Sequence, residues 1–216
     1  MKNYILAGVL GAGCVLSQAW GQERIEPRPY IRGNFGLAIT EDADVHAFPG
    51  AGDVRFDFDP GIHFNFAGGA MFGDYFALEA ETGFIINEID SISGFNDVDA
   101  WLSQVPLLIN MRFEFKNQTG LTPFVGAGAG GAIIGISIDH ARSSTTSLDG
   151  DDADWVFAWQ AFGGVKYELN DQLSVGVMYK YFWADDAKWQ VEGGFPDIRF
   201  DGTRSHLISA VVNYKF

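Results

Sequence analysis

The side chains best suited to acid–base work are the four histidines, His46, His63, His140 and His206. His206 has a possible nucleophile beside it in Ser205. A hydrolase or acyltransferase needs a nucleophile, a base and an orienting acid that converge on one point. If Ser205 and His206 open a strand, however, their side chains point to opposite faces and do not share a hydrogen bond. A histidine at the edge of an apolar segment is the plainer reading, and no catalytic residue is predicted.

The acidic side chains raise a second chemistry. The run Asp149-Gly150-Asp151-Asp152-Ala153-Asp154 offers hard oxygen ligands of the kind calcium takes. It lacks the D-x-[DN]-x-[DN]-G-x5-E pattern of an EF-hand loop, so a solvated acidic surface is expected instead of a metal site. Further acids gather at Glu41, Asp42, Asp44 and Asp53, and at Asp185, Asp186, Glu192, Asp197 and Asp201. The one cysteine, Cys14, lies near the start, leaving the remainder without disulfides or thiolate ligands. No metal and no cofactor is predicted.

With 28 acidic and 14 basic residues the net charge is −14, which excludes a phosphate-tracking nucleic-acid binder. A hydrophobic content of 47% and an aromatic content of 15% exclude a disordered chain.

Residues 1–21 have the form of a secretory signal: Lys2 is followed by an apolar stretch from Tyr4 to Leu16, with cleavage expected after Ala19 or Gly21. Residues 22–216 then form one domain. No later apolar run approaches the roughly 20 residues of a membrane helix. A β-barrel needs none, because only alternate residues meet lipid.

Period-two alternation runs through that domain. From Phe56 to Phe72 one face carries Phe56, Phe58, Ile62, Phe64, Phe66 and Phe72, and the other Asp57, Asp59, His63 and Asn65. A helix would scatter those phenylalanines, whereas a strand collects them on one side. Seven further segments alternate: 31–39, 76–86, 105–115, 122–138, 155–169, 173–181 and 206–216. The facing of the Gly/Ala-rich segment 122–138 stays open. Short turns at 73–75, 116–121 and 170–172 alternate with long polar stretches at 40–55, 87–104, 139–154 and 183–205. The pattern predicts an all-β, eight-stranded antiparallel transmembrane barrel with short periplasmic turns and long extracellular loops.

The polar face carries both signs of charge: Arg32, Arg112, Lys166, Lys180 and Lys215 beside Asp57, Asp59, Glu79, Glu81, Glu114 and Glu168. Eight strands leave an interior that side chains fill, and buried charges persist only when paired. These eleven residues are therefore expected to interlock as a lumen network that closes the tube. Pro106, which has no N–H for a ladder, predicts a bulge or a rim position.

Several stretches resemble the small OmpA/OmpX/opacity-like outer-membrane barrels known as the porin family. They are Ala77-Leu78-Glu79-Ala80-Glu81-Thr82-Gly83-Phe84, Val105-Pro106-Leu107-Leu108, Thr122-Pro123-Phe124-Val125-Gly126-Ala127-Gly128, Phe162-Gly163-Gly164-Val165-Lys166-Tyr167 and Asn213-Tyr214-Lys215-Phe216. The last resembles the terminal aromatic signal read by the outer-membrane assembly machinery, carried by Tyr214 and Phe216. The resemblance implies localisation in the outer membrane, among its lipids and lipopolysaccharide, and no single activity. The expected function is structural or surface-interacting, with extracellular partners for the acidic loops. A small-solute pore or ligand-binding barrel is the alternative, and a lipid A-modifying enzyme a third.

Overall fold

A computed structural model describes residues 26–48, 52–93, 96–142, 147–189 and 198–216. The predicted signal segment, Cys14 included, lies outside them. Eight antiparallel strands close on themselves: β1 (Arg28–Thr40), β4 (Gly61–Phe72), β5 (Phe76–Ile92), β6 (Asn96–Glu114), β7 (Leu121–Arg142), β8 (Ser147–Glu168), β9 (Leu173–Ala184) and β12 (Arg204–Lys215). Each pairs with the next, and β12 returns to pair with β1 from Tyr30↔Lys215 to Thr40↔Ser205. Closure removes every edge within this ring.

The long polar stretches are not simple loops. β5 to β8 run on beyond the ring as two tall hairpins. The other wall is continued by four short strands, β2 (Ala43–Phe48), β3 (Gly52–Phe58), β10 (Ala187–Trp189) and β11 (Ile198–Phe200). Their order from β5 is β3, β2, β11, β10, which repeats the lower order β4, β1, β12, β9. A second storey therefore stands on the barrel, and β10 meets β8 where the Lys188 N–H donates to Asp154 Oδ2 at 3.0 Å.

Four dipeptides join the storeys: Glu41-Asp42, Asp59-Pro60, Asp185-Asp186 and Asp201-Gly202. At each, two successive residues point outward, so inward parity changes from even to odd or the reverse. In β1 the inward residues include Tyr30, Arg32, Asn34, Ala38 and Thr40, and in β2 Ala43 and Val45. The segment read as one strand from Phe56 to Phe72 is broken in this way at Asp59-Pro60. Ladder bonds cross the joints, as from Glu41 N to Arg204 O at 2.8 Å and from Asp201 N to Asp44 O at 3.0 Å.

The two storeys bury opposite kinds of surface. Outside the lower ring stand Phe35, Leu37, Ile62, Phe64, Phe84, Ile109, Phe113, Val177 and Ile208, each more than 45% exposed, while charged and amide side chains lie within. That is the inverted pattern of a barrel in lipid. The upper storey is built like a water-soluble protein. Its interior packs Val45, Val54, Phe56, Ile89, Ile134, Phe182, Trp189 and Phe200, and its outer face carries Asp44, Asp53, Arg55, Lys188 and Arg199.

Pro106 sits within β6, facing inward, and forms neither bulge nor rim. The β5–β6 register is unchanged from Thr82↔Leu107 to Ile85↔Gln104, with the rungs between them missing. The absent N–H costs ladder bonds without moving the strand. At the opposite end, Gly73 takes φ 68° in a tight turn, where Asp74 Oδ1 accepts from Arg28 at 2.8 Å and Lys116 at 3.3 Å.

Candidate functional site

The inward positions nearest the periplasmic turns bring seven charged residues into one alternating chain. Lys166 Nζ lies 2.8 Å from Glu114 Oε1, which Arg112 also approaches at 3.0 Å. Arg112 Nε is 3.2 Å from Glu79 Oε1, and Glu79 Oε2 is 2.5 Å from Arg32. Arg32 reaches Glu81 at 2.9 Å, and Glu81 is paired in turn with Lys180. Each carboxylate thus lies between two cations, with a lysine at either end. All seven residues are at most 2% exposed.

Neutral donors complete this chain. The Tyr30 hydroxyl donates to Glu79, and Asn110 Nδ2 donates to Glu81 Oε2 at 2.9 Å. Gln160 Nε2 donates to Asn110 Oδ1 at 2.8 Å. Arg112 lies over the Tyr30 ring at 4.8 Å and Arg32 over the Phe162 ring at 5.1 Å, contacts that stabilise a desolvated cation. Glycine makes room for the amide: a β-carbon on Gly128 would stand 1.8 Å from Asn110 Oδ1. The Gly/Ala-rich strand whose facing was open thereby turns its even-numbered residues inward.

Four of the eleven predicted lumen residues lie apart from this chain. Glu168 and Lys215 pair at 2.8 Å but are about a third exposed, at the periplasmic mouth. Asp57 and Asp59 are not in the lumen. Asp57 belongs to the upper storey, where it points outward, accepts from Ser91 Oγ at 2.7 Å and neighbours Arg55 at 3.5 Å. Asp59 is an exposed joint residue. The joint inverts the facing of β3 relative to β4, so alternation counted across it put both on the wrong side.

Above the ion chain, a collar of neutral polar side chains crosses the lumen at the level of the joints. Thr40 Oγ1 lies 2.8 Å from both Asn87 Oδ1 and Ser205 Oγ, and Gln104 joins Ser205 at 3.2 Å and Thr203 at 2.8 Å. The apolar interior of the upper storey begins directly above. Sequence reasoning missed that interior. Its signal was present in runs apolar at both parities, such as Phe84-Ile85-Ile86 and Phe182-Trp183, which bury one face while the other meets lipid.

The histidines separate by environment. His63 is buried in the lumen, with Nδ1 2.8 Å from Asn65 Oδ1. His206 is outward at the outer rim, with Nδ1 2.7 Å from the Tyr179 hydroxyl and Nε2 3.1 Å from Glu41 Oε1. Ser205 is fully buried on the opposite face. His46 lies 3.1 Å from Asp53 and 3.5 Å from Asp201. The hydrogen bond donated by its ring to Asp53 and the negative charge of Asp201 hold its pKa above the ordinary value. The side chains of His140, Asp149 and Asp151 lie outside the described residues, and among those described no group of three potential ligands assembles for a metal. Tyr214 and Phe216 point outward with ring centroids 5.3 Å apart.

The outer membrane protein beta-barrel domain family matches residues 5–216. The chain belongs to that family. It is a protein of the outer membrane, and the apolar belt of the lower ring is its lipid-facing surface. Over 79 residues it is 30% identical to outer membrane protein PagN of Salmonella typhimurium; the matched part is 34% of this chain and 31% of PagN. Neisserial surface protein A superposes with a TM-score of 0.56 at 16% identity, covering 87% of this chain and 97% of that one. The outer membrane protease OmpT of Escherichia coli superposes at 0.51 with 7% identity, covering 92% and 99%. At such identities these structures share the fold alone.

Proposed function

We propose that this barrel is a closed, non-enzymatic scaffold that holds a rigid extracellular β-storey at the cell surface for interaction with partners. The observation that carries the reading is the sequence of layers in the interior: an ion chain, a hydrogen-bonded collar and an apolar core succeed one another from the periplasmic mouth outward. The seven residues of the chain and Ser205, Gln104, Phe56 and Phe200 of the layers above are at most 2% exposed. A conducting pore needs a continuous hydrated path, and a packed apolar layer supplies none. The outer face of the storey is rich in carboxylates, which favours cationic partners over polyanions.

A non-enzymatic role is supported by the opposite facing of Ser205 and His206. Tyr214 and Phe216 serve in this reading as the signal recognised by the assembly machinery, and the apolar belt as the contact with outer-membrane lipids and lipopolysaccharide. Planar-bilayer recording of the refolded protein tests the closed lumen, with no steady conductance expected; a large stable conductance overturns it. Phospholipase and deacylase assays, with His206→Ala as control, test the rest: turnover lost in that variant would make the protein an enzyme.

A further inference from the structure

The ion chain does not balance. Four cations (Lys166, Arg112, Arg32 and Lys180) alternate with three carboxylates (Glu114, Glu79 and Glu81), leaving one positive charge in a site shielded from water. The remaining described ion pair of the lower lumen, Glu168–Lys215 at its mouth, is neutral in sum. An uncompensated buried charge is expensive, so a counter-charge is to be sought where donors stand free.

One rung provides them. Arg32 on β1 pairs with Asn213 on β12, and Asn213 pairs with Ser174 on β9, all three facing inward. They are 0%, 2% and 1% exposed, yet Arg32 Nε, Asn213 Nδ2 and Ser174 Oγ have no hydrogen-bond partner among the described residues. The guanidinium nitrogen and the amide nitrogen only donate, and the hydroxyl is able to. Asn213 Oδ1 is already committed, accepting from Arg112 at 3.2 Å. Three free donors on adjacent strands, next to an excess cation, ask for an acceptor that carries negative charge. The chain's carboxylates do not fill that role, since each already lies between two cations, and Glu168 is committed to Lys215. The rung lies close to the periplasmic mouth, because Ser174 pairs with Glu168 of the partly exposed pair there.

We propose that the Arg32–Asn213–Ser174 rung is a binding site for a small inorganic anion of halide type, which neutralises the ion chain from the periplasmic side. The site lies below the collar and requires no passage through the barrel.

The test uses the full-length mature protein in detergent or lipid, with bromide as probe. Crystals grown in bromide should show an anomalous peak at the rung. In solution, exchanging bulky gluconate for bromide at constant ionic strength should raise the unfolding temperature by on the order of 2–4 °C. Ser174→Ala should weaken that response, and Lys166→Met, which balances the chain, should abolish it. An empty rung in bromide-grown crystals, or a bromide response unchanged in both variants, overturns the proposal. The crystal measurement stands even if Lys166→Met fails to fold.

Discussion

Phe56 and Phe64 share one hydrophobic phase of the chain, yet Phe56 is fully buried inside the upper storey and Phe64 is 53% exposed on the lipid face. The joint at Asp59-Pro60 lies between them. All four joints act alike. Ile31, Phe35, Leu37 and Ile39 face lipid, while Ala43 and Val45, in the same phase, face the core. Tyr179 and Trp183 face out and Ala187 and Trp189 in; Ile208 and Val212 face out and Ile198 and Phe200 in. The environment changes from lipid outside to water outside at this level. An unbroken apolar phase satisfies both settings only if the strand turns over.

Deleting Asp59 and Pro60 together should therefore uncouple the storeys. With the whole joint gone, alternation running on from Gly61 turns Phe56 outward and Arg55 inward, because successive residues of an unbroken strand take opposite faces. The lower ring has its own closed ladder and should survive. The expected outcome is retained heat-modifiable migration on gels with new protease sensitivity in the segments between the two storeys. Loss of both together would show that the storeys fold as one unit.

The same joints explain what was legible beforehand. The eight strands, their alternation and the inward facing of nine of the eleven charges followed from period-two reading, because within one strand facing is fixed by parity. Asp57 and Asp59 were misplaced because a two-residue outward step leaves the hydrophobic phase intact and so has no periodic signature. Pro60 was its one local mark. The collar was invisible for another reason: Thr40, Asn87, Gln104, Thr203 and Ser205 are remote in sequence, and only barrel closure brings them together.

Trp189 should anchor the upper storey. Its indole stacks at 4.9 Å on Phe200, and its N–H donates to Ile134 O at 3.3 Å, tying β10 to β11 and across to β7. Replacing a buried large aromatic by alanine costs about 3–5 kcal/mol. For Trp189→Ala the loss should be local. Hydrogen exchange should accelerate in β2, β3, β10 and β11, with little change in β1 or β4.

The storey should also respond to pH through His46. Its raised affinity for a proton, caused first by Asp53 and then by Asp201, means that the folded state binds the proton more tightly than the unfolded chain. The contribution is thus fully present below about pH 6.5, the ordinary histidine value, and fades as pH rises through the folded value. Asp186 has the opposite sign. Its hydrogen bond with Arg199 lowers its pKa, so its contribution is lost as pH falls through that lowered value. NMR titration of the His46 ring should give a midpoint above the ordinary value, and Asp201→Asn should bring it down.

The strongest energetic prediction concerns the Lys180 end of the ion chain. Glu81 accepts from Arg32, Lys180 and Asn110 with no exposure of its own side chain. Glu81→Gln keeps the shape but leaves Lys180 without its carboxylate and Arg32 with Glu79 alone. Removing one partner from a buried ionic network costs about 3–5 kcal/mol, mostly through the charge left behind. Urea unfolding in lipid vesicles should register that loss. Combining Glu81→Gln with Lys180→Met removes the stranded ammonium as well, so the double variant should be more stable than Glu81→Gln alone. A double variant weakened by the sum of both single losses would mean that the two side chains are not energetically coupled, and the chain would then be a set of independent contacts.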